Sequence, residues 1–378
     1  MKQVYFDNAA TTFMYEEVID VMMDSMKNNF GNPSSTHQFG RKAKVALETS
    51  RKSIAKSIGA NSSEIIFTSS GTEGNNLVLN NAVKYLGVKV IITSKIEHHA
   101  VLNVVENLAK EYGVLVRYVE LDELGGMDLN SLNKLLKDSD EKTLVSLMMV
   151  NNEIGNILPY KEVASLCDEY KALFHTDAVQ AVGHLPIDLK NVSIDFLVAS
   201  AHKFHGSKGI GFVYFDKKHV IKPMILGGNQ EKGIRSSTEN IHAIVGMAKA
   251  LEISIGIMIQ SSEHILGIKK YMCEQLKEVF PDVKFNGYSS SVDKGIPKIL
   301  NVRFPKQDKM LLFNLDLKGV AASSGSACQS GGSKVSHVLK EFLTEEELMK
   351  TSIRFSFSSF STKEEVDCFI DVIRLFKN

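Results

Sequence analysis

The sequence predicts an α/β fold: a mostly parallel sheet flanked by helices, joined to a smaller α+β C-terminal domain. Three observations carry that reading. Short apolar, β-rich runs alternate with helix-patterned segments through the first two-thirds of the chain, as parallel strands with helices on both faces require. After about Gly246 the alternation gives way to long helical patterns and isolated strands. The length of 378 residues also exceeds what one hydrophobic core usually holds.

Taken in order, the candidate strands are Ile65–Thr68, Lys89–Thr93, Val114–Val119, Leu144–Val150, Leu173–Thr176, Phe196–Ala199 and Ile210–Phe215. Each is a short run rich in β-branched, aromatic or other apolar residues. Helix-like patterns lie between them at Ala100–Tyr112, Leu129–Leu136 and Tyr160–Tyr170. Beyond Gly246 come a long helical stretch (Ala248–Ile259 continuing through Ser262–Val279), a strand at Lys298–Phe304, and a helix around Met310–Leu317. A run of small residues around Cys328, a strand at Ser352–Ser356 and a final helix at Lys363–Leu375 complete the pattern. The expected division is a large domain over 13–255, with 1–12 and 256–378 forming the small one.

Composition narrows the class. Lys+Arg and Asp+Glu balance at 44 each, which argues against a general nucleic-acid surface or a polybasic membrane patch. The four cysteines (Cys167, Cys273, Cys328, Cys368) form no CxxC pair or zinc-spaced cluster, so free thiols in a reducing compartment and no metal are expected. The N-terminus lacks an apolar signal core, and the most apolar stretches are too short to span a bilayer. A cytoplasmic protein with no membrane contact and no direct nucleic-acid contact is expected.

The run Ala322-Ser323-Ser324-Gly325-Ser326-Ala327-Cys328-Gln329-Ser330-Gly331-Gly332-Ser333 offers nothing large enough to bury the Cys328 thiol. A cysteine is ordinarily a small buried hydrophobe. A loose polar arm instead suits a thiol that reaches a substrate and then leaves it. The run alone leaves a reactive and an inert thiol equally open.

Ligands in open α/β sheets collect beyond the carboxyl ends of strands, so polar residues there carry extra weight. Ser200-Ala201-His202-Lys203-Phe204-His205-Gly206 places a lysine at such an end; it is either a Schiff-base lysine or a solvated turn residue. His175-Thr176-Asp177 offers an acid that can pair with a pyridinium nitrogen or cap a helix. Thr68-Ser69-Ser70-Gly71-Thr72-Glu73-Gly74-Asn75-Asn76 follows a strand and opens a helix, an arrangement receptive to phosphate, although it lacks the Gly-Lys-Ser/Thr ending of a nucleotide loop. Glu97-His98-His99 brings an imidazole able to stack on a planar ring or to cap a helix. Asn151-Asn152-Glu153 brings carboxamides able to meet a ring hydroxyl or a carboxylate.

Together these segments resemble the cysteine desulfurases of the class V aminotransferase family, which have the type I pyridoxal-phosphate (PLP) transferase fold. The resemblance runs from Tyr5-Phe6-Asp7-Asn8-Ala9-Ala10-Thr11-Thr12 and Phe30-Gly31-Asn32-Pro33-Ser34-Ser35 to Ser352-Ile353-Arg354-Phe355-Ser356. It implies that Lys203 carries pyridoxal 5'-phosphate and shuttles protons, Asp177 holds the ring nitrogen protonated, Gln180 contacts the ring oxygen, and His98 stacks on the ring. It implies a phosphate site of Gly71, Thr72, Ser200 and His202, with Ala201 beside them, and a substrate-carboxylate site of Asn152 and Arg354, Asn152 also touching the cofactor. Thr238 would reach the phosphate of a neighbouring subunit, implying a homodimer.

The implied reaction converts L-cysteine to L-alanine and leaves a persulfide on Cys328, catalysis resting on Lys203, Cys328 and His98. The persulfide would pass to an acceptor protein, an iron–sulfur scaffold or a tRNA-thiolation enzyme. Candidates for deprotonating Cys328 are His98 and the His202/His205 neighbourhood. Three departures from the family pattern stand out: Ser237 in place of a glycine before Thr238, Leu226 and Asn229 interrupting a His-Gly-Gly-Gly run, and Lys334-Val335 in place of Glu-Pro. The chain also ends soon after the last helix, so delivery to an iron–sulfur scaffold is the less secure expectation. The rivals are another PLP lyase or aminotransferase, including a selenocysteine lyase, that would not need Cys328, and a catalytically silent sulfur-relay protein.

Overall fold

The computed structural model describes residues 3–325 and 335–377; Cys328 lies outside them. The central sheet has seven strands: β2 (Ile65–Thr68), β3 (Val90–Thr93), β4 (Leu115–Tyr118), β5 (Thr143–Ser146), β6 (Leu173–Asp177), β7 (Phe196–Ser200) and β8 (Gly211–Phe215). Their spatial order is β2-β8-β7-β6-β5-β3-β4, and β8 runs antiparallel to both its neighbours while the other pairings are parallel. The carboxyl ends of β2, β3, β5, β6 and β7 therefore open on one edge. The β7–β8 connection, which carries Lys203, returns across that same edge.

The apolar strand runs are continuous because successive side chains feed two cores. On β2, Ile65 and Phe67 enter one core and Ile66 the other; on β7, Leu197 and Ala199 oppose Phe196 and Val198. One core is covered by α2 (Gln38–Ser57), α5 (Leu129–Lys137), α6 (Tyr160–Glu169) and α7 (Ile241–Gly256), with Val18 of α1 (Glu16–Asn28) joining it. The other is covered by α3 (Gly71–Lys84) and α4 (His99–Tyr112). Edge strand β4 leaves Leu115 and Tyr118 exposed.

A third core belongs to the C-terminal region. Its sheet sets β10 (Ile299–Arg303) antiparallel between β12 (Ser352–Ser356) and β9 (Lys284–Phe285), while β1 (Val4–Tyr5) pairs parallel with β11 (Val320–Ala321). Buried faces of α8 (Met258–Val279), α9 (Leu311–Leu317) and α11 (Lys363–Arg374) pack on it, and Phe6 meets Phe355, Phe357 and Phe369 edge-on. The short α10 (Glu345–Leu348) starts from a capping box on Thr344.

Two sequence expectations change. The run Leu144–Val150 is a strand only to Ser146, because the Met148 amide donates to Glu97 Oε1 (2.8 Å) rather than to a neighbouring strand. Val150 then bridges to Ile157 and closes the loop that carries Asn152. The helical stretch starting at Ala248 begins instead at Ile241 and bends by 71° at Ile257. Its halves serve different cores, α7 against α1 and α2, α8 against α11. Among the described residues no single helix is long and apolar enough to cross a membrane.

Candidate active site

A cavity of about 210 Å³ lies at the carboxyl edge of the sheet, lined by residues from the five strand-end segments and from β12: Gly71 and Thr72, His98, Asn152, Asp177 and Gln180, Ser200, His202 and Lys203, and Arg354. Its floor is the N-terminus of α3, where Ser70 caps the helix by accepting from the Glu73 amide (3.2 Å). The first-turn amides and the helix dipole face an incoming anion there. Gly71 lets the start of the helix pack against the loop after β6: a Cβ at that position would come within 2.7 Å of Val179 Cγ2.

Lys203 sits in a single 3-10 turn directly after β7. Its ammonium donates to the carbonyls of Ala9 (2.8 Å) and Ala10 (2.7 Å). The N-terminal segment clasps this turn through Thr12, whose hydroxyl donates to the His202 carbonyl (3.0 Å) and accepts from the His205 amide (2.8 Å). Behind it, the Lys203 carbonyl accepts from His184 Nε2 (2.8 Å). Fully buried Lys298 lies 3.5 Å from the same carbonyl, its amine pushed well down by burial and by the charges of Lys203 and Arg354. His202 lines the cavity with its imidazole pushed down to about 4 by burial and then by Lys203.

His98 is both the N-cap of α4 and a cavity wall. Its Nδ1 accepts from the Ala100 amide (3.1 Å), which leaves the ring proton on Nε2, and burial holds the ring below its usual pKa. Asp177, at the end of β6, accepts from the Val179 amide (3.0 Å) and from Asn75 Nδ2 (2.7 Å). Asn75 is itself fully buried on α3, so the carboxylate is aimed by the same helix whose N-terminus forms the cavity floor. Gln180 spends its Nε2 on the Ala9 carbonyl (2.9 Å) and keeps a buried Oε1 with no partner among the described residues. Arg354, 2% exposed on β12, donates from one terminal nitrogen to the Asn152 carbonyl (2.8 Å) and from the other to Asp7 (2.8 Å); among the described residues its Nε–H has no partner.

Some expected residues fall elsewhere. Ala201 is wholly buried and does not line the cavity, its methyl lying under Gly206 instead. Thr238 is exposed and does not reach the cavity of its own chain. Asn151 is turned away, bonded to the Ile96 carbonyl and to the amides of Glu153 and Ile154, so only Asn152 of that pair faces the site. His205 stacks on Tyr15 and bonds the Phe13 carbonyl, outside the cavity. Cys328 lies outside the described residues. Two residues were missed from sequence, Asn75 and the Arg354 partner Asp7. Both stood within recognised runs, but nothing in the spacing shows which side chain meets which.

The cavity fits PLP on its own chemistry: a helix N-terminus for the phosphate, a carboxylate for the ring nitrogen, the unpartnered Gln180 oxygen for the ring hydroxyl, and a lysine amine on the same wall. Comparisons with known proteins agree with this. The family model for aminotransferase class-V matches residues 4–369. A cysteine desulfurase IscS of Dictyoglomus turgidum is 42% identical over 98% of this chain and 94% of its own. Among solved structures, a NifS-like protein superposes with a TM-score of 0.91 at 34% identity, covering 99% of both chains. SspA in complex with cysteine superposes at 0.81 and 32% identity, covering 95% of this chain and all of the other. The chain belongs to the class-V aminotransferase family of PLP enzymes, among its cysteine desulfurases.

Proposed function

We propose that the protein converts L-cysteine to L-alanine and receives the sulfur as a persulfide on Cys328. The observation that carries this reading is the convergence of Lys203, Asp177, His98, the α3 N-terminus and Arg354 on one cavity. Bound PLP supplies an electron sink that weakens the Cβ–S bond of the substrate. Gly71 and Thr72 hold the phosphate, and Asp177, oriented by Asn75, stabilises the protonated ring nitrogen. Arg354 and Asn152 hold the substrate carboxylate. The Lys203 amine moves protons at the substrate carbon. His98 presents its Nε2–H to the cavity, since its Nδ1 is committed to the helix cap. The balance is L-cysteine plus the Cys328 thiol giving L-alanine plus the Cys328 persulfide, with no outside oxidant or reductant.

The working unit is a homodimer in which Thr238 of one chain completes the phosphate site of the other; its exposure outside its own cavity supports this. A cytoplasmic site of action fits the three described cysteines, all free thiols. The persulfide goes to an acceptor protein, an iron–sulfur scaffold or a tRNA-thiolation enzyme, which labelled cysteine offered with each would distinguish. The test of the chemistry is Cys328→Ala: the visible absorbance of bound cofactor stays and alanine release from cysteine is lost. Unchanged alanine release would overturn the reading.

A further inference from the structure

Glu153 follows Asn152 in the substrate loop and is wholly buried, yet none of the chemistry above uses it. Its backbone is locked: the amide donates to Asn151 Oδ1 (2.8 Å) and the carbonyl accepts from Asn301 Nδ2 (3.0 Å). Its carboxylate reaches both flanks of the run that contains Cys328. Oε2 accepts from Ser336 Oγ at 2.5 Å, and a Cβ at Gly325 would come within 3.1 Å of the same oxygen. Among the described residues Oε1 has no hydrogen-bond partner, and it faces His337 Nδ1 at 4.0 Å.

The surrounding contacts tie the same flanks to the catalytic wall. His337 Nε2 donates to the carbonyl of Glu97, the residue before His98 (2.9 Å). The Ser336 hydroxyl also accepts from the Leu339 amide (3.1 Å). On the other flank Ser323 exchanges backbone hydrogen bonds with Arg354, and Arg354 in turn holds the Asn152 carbonyl. A buried carboxylate is costly unless it is hydrogen-bonded, and this one accepts its hydrogen bond from the C-terminal flank. The carboxylate therefore hydrogen-bonds the C-terminal flank to the substrate loop and lies packed against the N-terminal flank at Gly325.

We propose that Glu153 is a positioning residue for sulfur transfer, fixing the flanks Gly325 and Ser336 relative to the substrate-carboxylate site. The proposal rests on Cys328 as the sulfur-receiving residue, and in that step an S–S bond forms as the substrate Cβ–S bond breaks. Misplacement of reacting groups by about 1 Å costs on the order of 10²-fold in rate.

The experiment uses the holoenzyme and single-turnover alanine release. Glu153→Ala slows release on the order of 10²-fold, while cofactor content and cysteine affinity, read by spectral titration, stay at the wild-type values. Glu153→Gln, whose amide oxygen still accepts from Ser336, restores most of the rate. Deuterium uptake over residues 335–343 rises in Glu153→Ala and not in Glu153→Gln. Wild-type release by Glu153→Ala, a loss of cysteine affinity equal to the loss of rate, or a Gln variant as slow as the Ala variant would each overturn the proposal. If Glu153→Ala does not fold, Ser336→Ala removes the same hydrogen bond from the other side and carries the same expectations. Cys328→Ala, run in parallel, separates the two readings: normal release there would sink the role of Cys328 and this proposal with it.

Discussion

Replacing Arg354 by lysine keeps a positive charge but removes the planar fork, and the structure sets the size of the loss. Both terminal nitrogens of the buried guanidinium are engaged, one by the Asn152 carbonyl and one by Asp7, while Nε–H has no partner among the described residues. A single ammonium cannot span Asp7, the Asn152 carbonyl and a substrate carboxylate together. The expected loss is one charge-assisted hydrogen bond to substrate, about 1.5–3 kcal/mol, or roughly 10- to 150-fold in cysteine affinity. The Asp7 pair survives, so the fold and cofactor content should hold.

The assay is a titration of the cofactor absorbance with L-cysteine and, in parallel, with L-cysteine methyl ester. The ester lacks the carboxylate, so Arg354→Lys should weaken the acid and leave the ester where the wild type has it. Two results would refute the assignment: the same cysteine affinity in both proteins, or equal weakening of acid and ester.

Two further outcomes follow from the backbone and the buried imidazoles. Ser237, standing where the family pattern has glycine, adopts φ +119°, a region that disfavours any side chain. Ser237→Gly should stabilise the fold by about 1 kcal/mol or more, seen as a raised unfolding midpoint, and a lowered midpoint would contradict the strain. His175 on β6 is wholly buried, bonded through Nδ1 to Ser146 Oγ (2.8 Å), and burial pushes it from 6.5 down to about 3. Its folded-state pKa is depressed, so the unfolded chain takes up a proton that the fold refuses, and stability falls as pH drops from 6.5 towards 3. That contribution is up to about 1.4 kcal/mol per pH unit. Urea unfolding of wild type and His175→Gln at neutral and mildly acidic pH checks it, since the variant should lose less on acidification; equal losses would exclude the effect.

How much was legible in the sequence differs from residue to residue. Phe196–Ala199 was readable as a buried strand because every side chain in it is apolar, and the structure shows why: alternate residues fill cores on opposite faces. The helices α1 and α2 went unread, as did the two-residue strands β1, β9 and β11. Those strands are too short for any period to emerge and exist through their partners, as Val4 does through Val320. The long helical pattern spanning α7 and α8 concealed a 71° bend, because periodicity reports which residues are apolar and not which core each half enters.

At the site, residue type and position after a strand marked Lys203, Asp177, His98 and Gly71 as candidates for an amine, an acid, a flat ring and an anion cradle; the family resemblance chose among their roles and alone pointed to Arg354, which lies within β12. What the local sequence determines is therefore the set of reactive groups and the strand ends that present them, both being properties of a few adjacent residues. Only the tertiary structure decides their pairing. Asn75 on Asp177 spans 102 positions, Arg354 on Asp7 spans 347, and Ser336 on Glu153 spans 183. It also decides that Asn151 turns away to bond Ile96, Glu153 and Ile154 while Asn152 lines the cavity. A side chain's partner depends on how separate elements pack, and nothing in the neighbouring residues of a chain records that.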